Sequence, residues 1–282
     1  MKIAIASGKG GTGKTTVAVN LAWVLSGHGK AVRYLDCDVE EPNGHLFLKS
    51  KFDKTETAFI PVPAIDESKC DACDECVRFC RYKALVQLGK IVMVFEELCH
   101  GCGGCLRVCP KQAITEKEKR IGTVDTGYAG KIAFVSGRLD VGQAMSPPLI
   151  RQVLTHTKED RINIVDAPPG TSCPVIAAIR KVDFVLLVTE PTPFGLHDLG
   201  LTLDMIGELG LPYAVVVNRA VPTVLSAREF CSQNKVDILA DIPDDRRIAE
   251  AYSTGEIFCR GLPAYQDYFN TIWFGIERRL NL

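Results

Sequence analysis

The chain has no surplus of charge of either sign. Its 282 residues hold 33 lysines and arginines against 34 aspartates and glutamates. That balance removes the electrostatic argument for a nucleic-acid partner or an acidic surface. No stretch approaches the roughly 18 apolar residues of a membrane span. The opening Met1-Lys2-Ile3-Ala4-Ile5 is too short an apolar run for a secretory signal. A cytoplasmic protein without stable membrane insertion is expected. Histidine is sparse and scattered, at positions 28, 45, 100, 156 and 197. Only His100 adjoins a candidate metal ligand, Cys99, whose site it could influence.

What is abundant is cysteine. There are twelve, and eight fall between Cys70 and Cys109. In a reducing compartment such clustering points to metal rather than disulfides. The spacing Cys70-x2-Cys73-x2-Cys76-x3-Cys80 is repeated as Cys99-x2-Cys102-x2-Cys105-x3-Cys109-Pro110, which is the bacterial ferredoxin pattern given twice. In that pattern three thiolates of each run hold one [4Fe–4S] cluster and the fourth crosses to the other. Cys70, Cys73, Cys76 and Cys109 are therefore assigned to one cluster, and Cys80, Cys99, Cys102 and Cys105 to the second. The repeat extends beyond the ligands, since Cys76-Val77-Arg78-Phe79-Cys80 parallels Cys105-Leu106-Arg107-Val108-Cys109. Paired Cys-x2-Cys motifs also make zinc sites, but three close cysteines plus a fourth, twice over, fit zinc poorly. Arg81 stands where a proline is expected after Cys80. Cys37, Cys231 and Cys259 read as packed or semi-exposed thiols, and Cys173 as a structural thiol or, alternatively, a ligand or redox group.

Elsewhere the chain alternates short apolar runs with helical patterns, which predicts an α/β fold with a mostly parallel sheet flanked by helices. The first run, Ile3 to Ala6, leads into Ser7-Gly8-Lys9-Gly10-Gly11-Thr12-Gly13-Lys14-Thr15-Thr16 and then a helix. Strand, glycine loop and helix start are the context of a phosphate loop. Glycines let backbone N–H groups turn inward around an anion, and the dipole of the following helix favours negative charge. Lys14 is placed to reach the β- and γ-phosphates of ATP, and the Thr15 hydroxyl to ligate Mg²⁺. Asp36 and Asp38 end the second strand and Asp166 ends another. Carboxylates there can hold Mg²⁺-bound water and orient an attacking one. Strands are expected at 120–126 and 131–136, with Gly127 and Gly130 between them, and late in the chain at 236–239. Tyr265 to Ile276 has helical spacing, as a last packed helix or one lying on a membrane.

The second lysine of the loop, Lys9, sharpens the reading. Lys9-Gly10-Gly11-Thr12-Gly13-Lys14-Thr15-Thr16 resembles the deviant phosphate loop of the MinD/Mrp superfamily of ATPases. Asp36-Cys37-Asp38 and Asp166-Ala167-Pro168-Pro169-Gly170-Thr171 resemble its two switch motifs. Asn218 resembles its adenine-reading asparagine, and Ile242-Pro243-Asp244 its late adenine-flanking loop. The resemblance covers about 230 residues, the chain less its cysteine-rich insert. It implies a discontinuous ATPase domain, 1–65 and 118–282, interrupted by a small α+β ferredoxin-like domain at 66–117. It also implies a dimer, with itself or a similar paralogue, in which Lys9 reaches the partner's ATP and Asp38 positions the attacking water. Hydrolysis is expected to be slow and stimulated by the dimer or a partner.

Three functions follow. The first is ATP-gated electron transfer through two [4Fe–4S] clusters to a redox protein partner, because all eight ligands are internal. The alternative is iron–sulfur cluster assembly or carriage of the Mrp type, although the Cys-x-x-Cys pair typical of that branch is not evident near the C-terminus. The third is a nucleotide-dependent scaffold in which the clusters are structural.

Overall fold

A computed structural model describes residues 1–221, 224 and 226–281. Among the described residues eleven strands form: β1 (Lys2–Ala6), β2 (Val32–Asp36), β3 (Lys51–Ile65), β4 (Leu85–Leu88), β5 (Ile91–Val94), β6 (Ile114–Ala129), β7 (Ile132–Leu139), β8 (Ile162–Asp166), β9 (Phe184–Thr189), β10 (Tyr213–Ala220) and β11 (Ile238–Pro243). Nine of them make one sheet in the order β11-β10-β9-β1-β8-β2-β7-β6-β3, and β4-β5 form a separate hairpin. From β11 to β7 every pairing is parallel, and β7-β6 and β6-β3 are antiparallel. The expected mostly parallel sheet flanked by helices is thus present.

The central strands are apolar throughout because both faces are covered. Ile3, Ile5, Tyr34, Ile164 and Leu186 point to one face, and Ala4, Ala6, Leu35, Val165 and Leu187 to the other. Helices Lys14–Gly27 and Gln266–Leu280 cover the first face, and Pro147–Leu154, Cys173–Ile179 and Pro193–Leu209 the second. The last helix buries Phe269, Ile272, Trp273 and Ile276, each contributing roughly 1.5–3 kcal/mol. That apolar stripe is spent on the core, so the packed alternative for this helix holds. Among the described residues no helix is long and apolar enough to cross a membrane.

The edge of the sheet departs from the sequence reading. Strand β6 runs unbroken through Gly127, where a Cβ would stand 1.9 Å from the Lys51 carbonyl oxygen, so only a glycine admits the crossing. The turn is Gly130-Lys131, with Gly130 at φ +59°. The late strand begins at Ile238 rather than Val236 and extends through Pro243. Pro61 and Pro63 lie inside β3, the outermost strand. They are two residues apart and share one edge, where a missing N–H breaks no ladder bond. Strands β3 and β6 pair from Lys51↔Tyr128 to Ile65↔Ile114. The cysteine-rich stretch therefore sits at the tip of a long two-stranded ribbon.

Candidate functional sites

The phosphate loop follows β1, Asp36 ends β2 with Asp38 just beyond it, Asp166 ends β8, Asn218 lies near the end of β10 and Pro243 ends β11. Parallel pairing brings all of them to one edge of the sheet. Gly11 and Gly13 take φ +80° and +91°, and the helix starts at Lys14. The Asn218 amide donates to the Thr12 carbonyl at 2.8 Å. A Cβ on Gly13 would sit 2.1 Å from that amide nitrogen. The loop and the strand that reads the far side of the cavity are thus in direct contact. Gly10, Gly11, Gly13, Lys14, Thr15, Thr16, Asp38, Asn218, Arg219 and Pro243 line one cavity, which brings most of the expected residues together. Thr12 is buried, its carbonyl facing Asn218.

Asp36 and Asp166 lie beneath that cavity as register neighbours on β2 and β8, both with no exposure. Each has one oxygen engaged: the Gly44 N–H donates to Asp36 Oδ2 at 2.9 Å, and the Tyr34 hydroxyl donates to Asp166 Oδ2 at 2.7 Å. The other oxygen of each, Oδ1, has no hydrogen-bond partner among the described residues. Lys14 Nζ stands 4.0 Å from Asp166 Oδ1. Burial, then the Asp166 charge, pushes the Asp36 carboxyl well above the usual carboxylate range. Burial also raises Asp38, to about 6, against the pull of Lys14. Two adjacent buried carboxylate oxygens without donors are costly unless a cation satisfies them. A hydrated Mg²⁺, which prefers oxygen ligands and keeps several waters, fits that need.

Lys9 does not face this cavity. Its Nζ is 2.5 Å from Glu190 Oε1, and Glu190 Oε2 accepts from Arg219 at 3.3 Å. Burial would raise the Glu190 carboxyl, but Lys9 and Arg219 hold it below its usual value. Glu190 and Tyr34 were missed in the sequence, and each carried a signal. Glu190 is a strand-end acid like Asp36 and Asp166. Tyr34 lies two residues before Asp36 on the same face of β2, so its hydroxyl points toward the strand-end carboxylates.

The cysteines fall into two cavities. Cys70, Cys73, Cys76 and Cys109 wall one, with Ile65, Val92 and Ile114. Cys80, Cys99, Cys102 and Cys105 wall the other, with Phe79, Tyr82 and Pro61. These are the crossed groupings expected from the spacing. The backbone repeats at the same offset of 29 residues. Left-handed positions occur at Ala72 and Gly101, Asp74 and Gly103, Lys83 and Gln112. Short helices occupy Glu75–Phe79 and Gly104–Val108. Matching N–H···O bonds join Asp66 to Ala113 and Phe95 to Ala84. Cys73 and Cys102, equivalent in the repeat, are the exposed members of each set. Burial raises the thiols of Cys76 and Cys99, and that of Cys105 to about 11. Backbone N–H groups of Gly101 and Ala113 point at the sulfurs of Cys99 and Cys109, at 3.5 and 3.3 Å, a donor set that favours thiolate.

Among the described residues no three or more His, Cys, Asp or Glu converge closely enough for one metal ion. A tetrahedral zinc, with bonds of about 2.3 Å, would need its sulfurs about 4 Å apart. Four thiols spread around an apolar cavity suit a four-iron cube better. His100 stacks on Tyr82 beside the second cavity, with ring centroids 3.4 Å apart. Cys37, Cys231 and Cys259 are buried and Cys173 is exposed.

Comparison with known proteins identifies the nucleotide-binding family. The family described as the CobQ/CobB/MinD/ParA nucleotide binding domain matches residues 3–258. An uncharacterised protein of Methanocaldococcus jannaschii is 34% identical over 286 residues, covering 96% of this chain and 95% of its own. The iron–sulfur cluster carrier protein of Pyrococcus horikoshii is 24% identical, covering 90% of this chain and 77% of its own. The solved septum site-determining protein MinD of Pyrococcus horikoshii, complexed with Mg-ADP, superposes with a TM-score of 0.60 at 21% identity, over 96% of this chain and 93% of that one. That last likeness concerns the fold.

Proposed function

The chain belongs to the CobQ/CobB/MinD/ParA nucleotide-binding family, and from that premise we propose that it binds and hydrolyses ATP to control the assembly or carriage of iron–sulfur clusters at the two cysteine cavities. The observation that carries this reading is the joining, in one chain, of a phosphate-loop cavity and two four-thiol cavities. The likeness to a cluster carrier favours carriage over the electron-transfer role that the eight internal cysteines first implied. Electron transfer is the second reading, supported by the ferredoxin-like crossing of the two sets. A single experiment separates them. Protein loaded with isotopically labelled clusters is mixed with an apo-acceptor. Carriage predicts that label moves with the clusters, whereas electron transfer predicts that the label stays while the acceptor is reduced.

In this reading the loop N–H groups and Lys14 hold the β- and γ-phosphates, and the Thr15 hydroxyl is an Mg²⁺ ligand. Asp36 and Asp166, through their unpartnered oxygens, would help to hold that ion. Mg²⁺ would neutralise phosphate charge. Asp38, on the cavity wall, orients the water that attacks the γ-phosphate. Asn218 and Pro243 flank the adenine. Replacing Tyr34 with Phe is expected to free Asp166 to rotate and to weaken apparent Mg²⁺ affinity about tenfold. A magnesium titration of a bound fluorescent nucleotide checks this, because a merely structural role would lower stability without moving the midpoint.

Nucleotide state has a physical route to the clusters. The Leu139 N–H donates to the Val39 carbonyl, next to Asp38, and Ser146 Oγ donates to Glu40 at 2.9 Å. Asp140 in turn bonds Ile121 and pairs with Arg120 on β6, whose far end carries the cysteines. Dimerisation adds Lys9, which must leave Glu190 to cross into a partner subunit. Lys9→Ala is expected to abolish ATP-dependent dimers, and Glu190→Gln to raise their population severalfold, both read by sedimentation velocity with MgATP.

A further inference from the structure

We propose that the outer face of the β4-β5 hairpin is a docking surface for an acidic protein, one that presents an apolar patch ringed by carboxylates. The proposal rests on the reading above, in which the clusters serve a partner. In the hairpin Val86 faces Met93 and Leu88 faces Ile91 across the strands. Alternation sends Leu85 and Val92 inward, where they are buried with Cys76 and Ile114. The opposite face carries Leu88, Ile91 and Met93, which are 60%, 54% and 43% exposed. One buried face is enough to hold a hairpin on the thiol layer, so the second apolar ladder has no folding role.

Charge identifies the occupant. Asp71, Glu96 and Glu97 pair with Lys111, Lys117 and Lys119, and Asp74 and Glu75 share Arg78. Arg81, Lys83 and Lys90 make no ion pair among the described residues, and Lys83 and Lys90 bracket β4 at its start and at the hairpin turn. The hairpin segment 83–95 holds Lys83 and Lys90 and no carboxylate, so the charge at the ends of the ladder is positive. A second copy meeting face to face would set these lysines against themselves, which the same electrostatics disfavours. The inner residues place the docked partner beside both sites, since Leu85 lines the cavity of Cys80, Cys99, Cys102 and Cys105 and Val92 lines the other.

The test uses the full chain with reconstituted clusters and two single-domain iron–sulfur proteins of equal size as probes, one strongly acidic and one strongly basic. Affinity is measured by biolayer interferometry at low and high salt, beside label transfer and sedimentation. The acidic probe is expected to bind at least tenfold tighter than the basic one, with affinity falling as salt rises. Lys83→Glu with Lys90→Glu should lose at least tenfold and most of the salt dependence. Leu88→Ser with Met93→Ser should lose affinity but keep the salt dependence. Equal binding of the two probes, wild-type affinity in both variants, or variants that alter only self-association would overturn the proposal. If both variants bind as the wild type does while label still moves, docking falls and carriage stands. If the probes dock as predicted but no label moves, carriage falls and docking stands.

Discussion

Cys109→Ser is expected to remove about half of the bound iron and sulfide, and to remove it from the cavity of Cys70, Cys73 and Cys76 rather than from that of its own sequence neighbours. The reason is spatial. Cys109 lines the first cavity and is absent from the wall of the second, which takes Cys80 instead. The thiols also feel one another in those groups: Cys76 is influenced by Cys109 and Cys70, and Cys99 by Cys102 and Cys80. Cys80→Ser should empty the complementary site. Combination decides the matter, because changes within one unit are not additive. Cys109→Ser with Cys73→Ser should lose no more iron than Cys109→Ser alone, whereas Cys109→Ser with Cys80→Ser should lose nearly all. Iron and sulfide assays with electron paramagnetic resonance read the result. Additive loss from Cys109→Ser with Cys73→Ser would mean that the sets follow sequence order.

The second large effect is at Asp38. Asp38→Asn should keep nucleotide binding within about threefold and lower hydrolysis at least about a hundredfold, the range for losing a positioned proton acceptor. Asp38 lines the cavity, whereas Asp36 and Asp166 are sealed beneath it. The substitution also keeps volume and removes charge. Lys14→Ala is the contrasting case and should lose binding and hydrolysis together, since Lys14 is the only lysine on the cavity wall among the described residues. Fluorescent-nucleotide titration and phosphate release separate the two outcomes. Equal loss of binding in both variants would remove Asp38 from the attack step.

Much of this was legible because local chemistry dictated it. A glycine loop between an apolar run and a helix reads as a phosphate loop without any tertiary knowledge, and a cysteine spacing repeated after 29 residues fixes backbone turns in both copies. What escaped the sequence depends on which strands become neighbours. Tyr34 meets Asp166 only because β2 lies beside β8. Lys9 meets Glu190 because β1 lies beside β9. The ribbon of β3 and β6 escaped for a different reason: prolines such as Pro61 and Pro63 punctuate a sequence, but an edge strand tolerates them. Gly127 reads as a break between two strands, but it is a close crossing of two backbones within one. The local pattern shows that a glycine or proline is needed and leaves open whether a turn or an edge needs it.

The account turns on nucleotide control of the clusters, and one measurement addresses it most directly. Protein carrying labelled clusters is mixed anaerobically with an apo-acceptor, and the transfer rate is followed without nucleotide, with MgADP and with MgATP, in the wild type and in Asp38→Asn. The account predicts a rate that differs severalfold between MgADP and MgATP in the wild type, and an Asp38→Asn protein held at the MgATP rate. Transfer at one rate in all three conditions would contradict it.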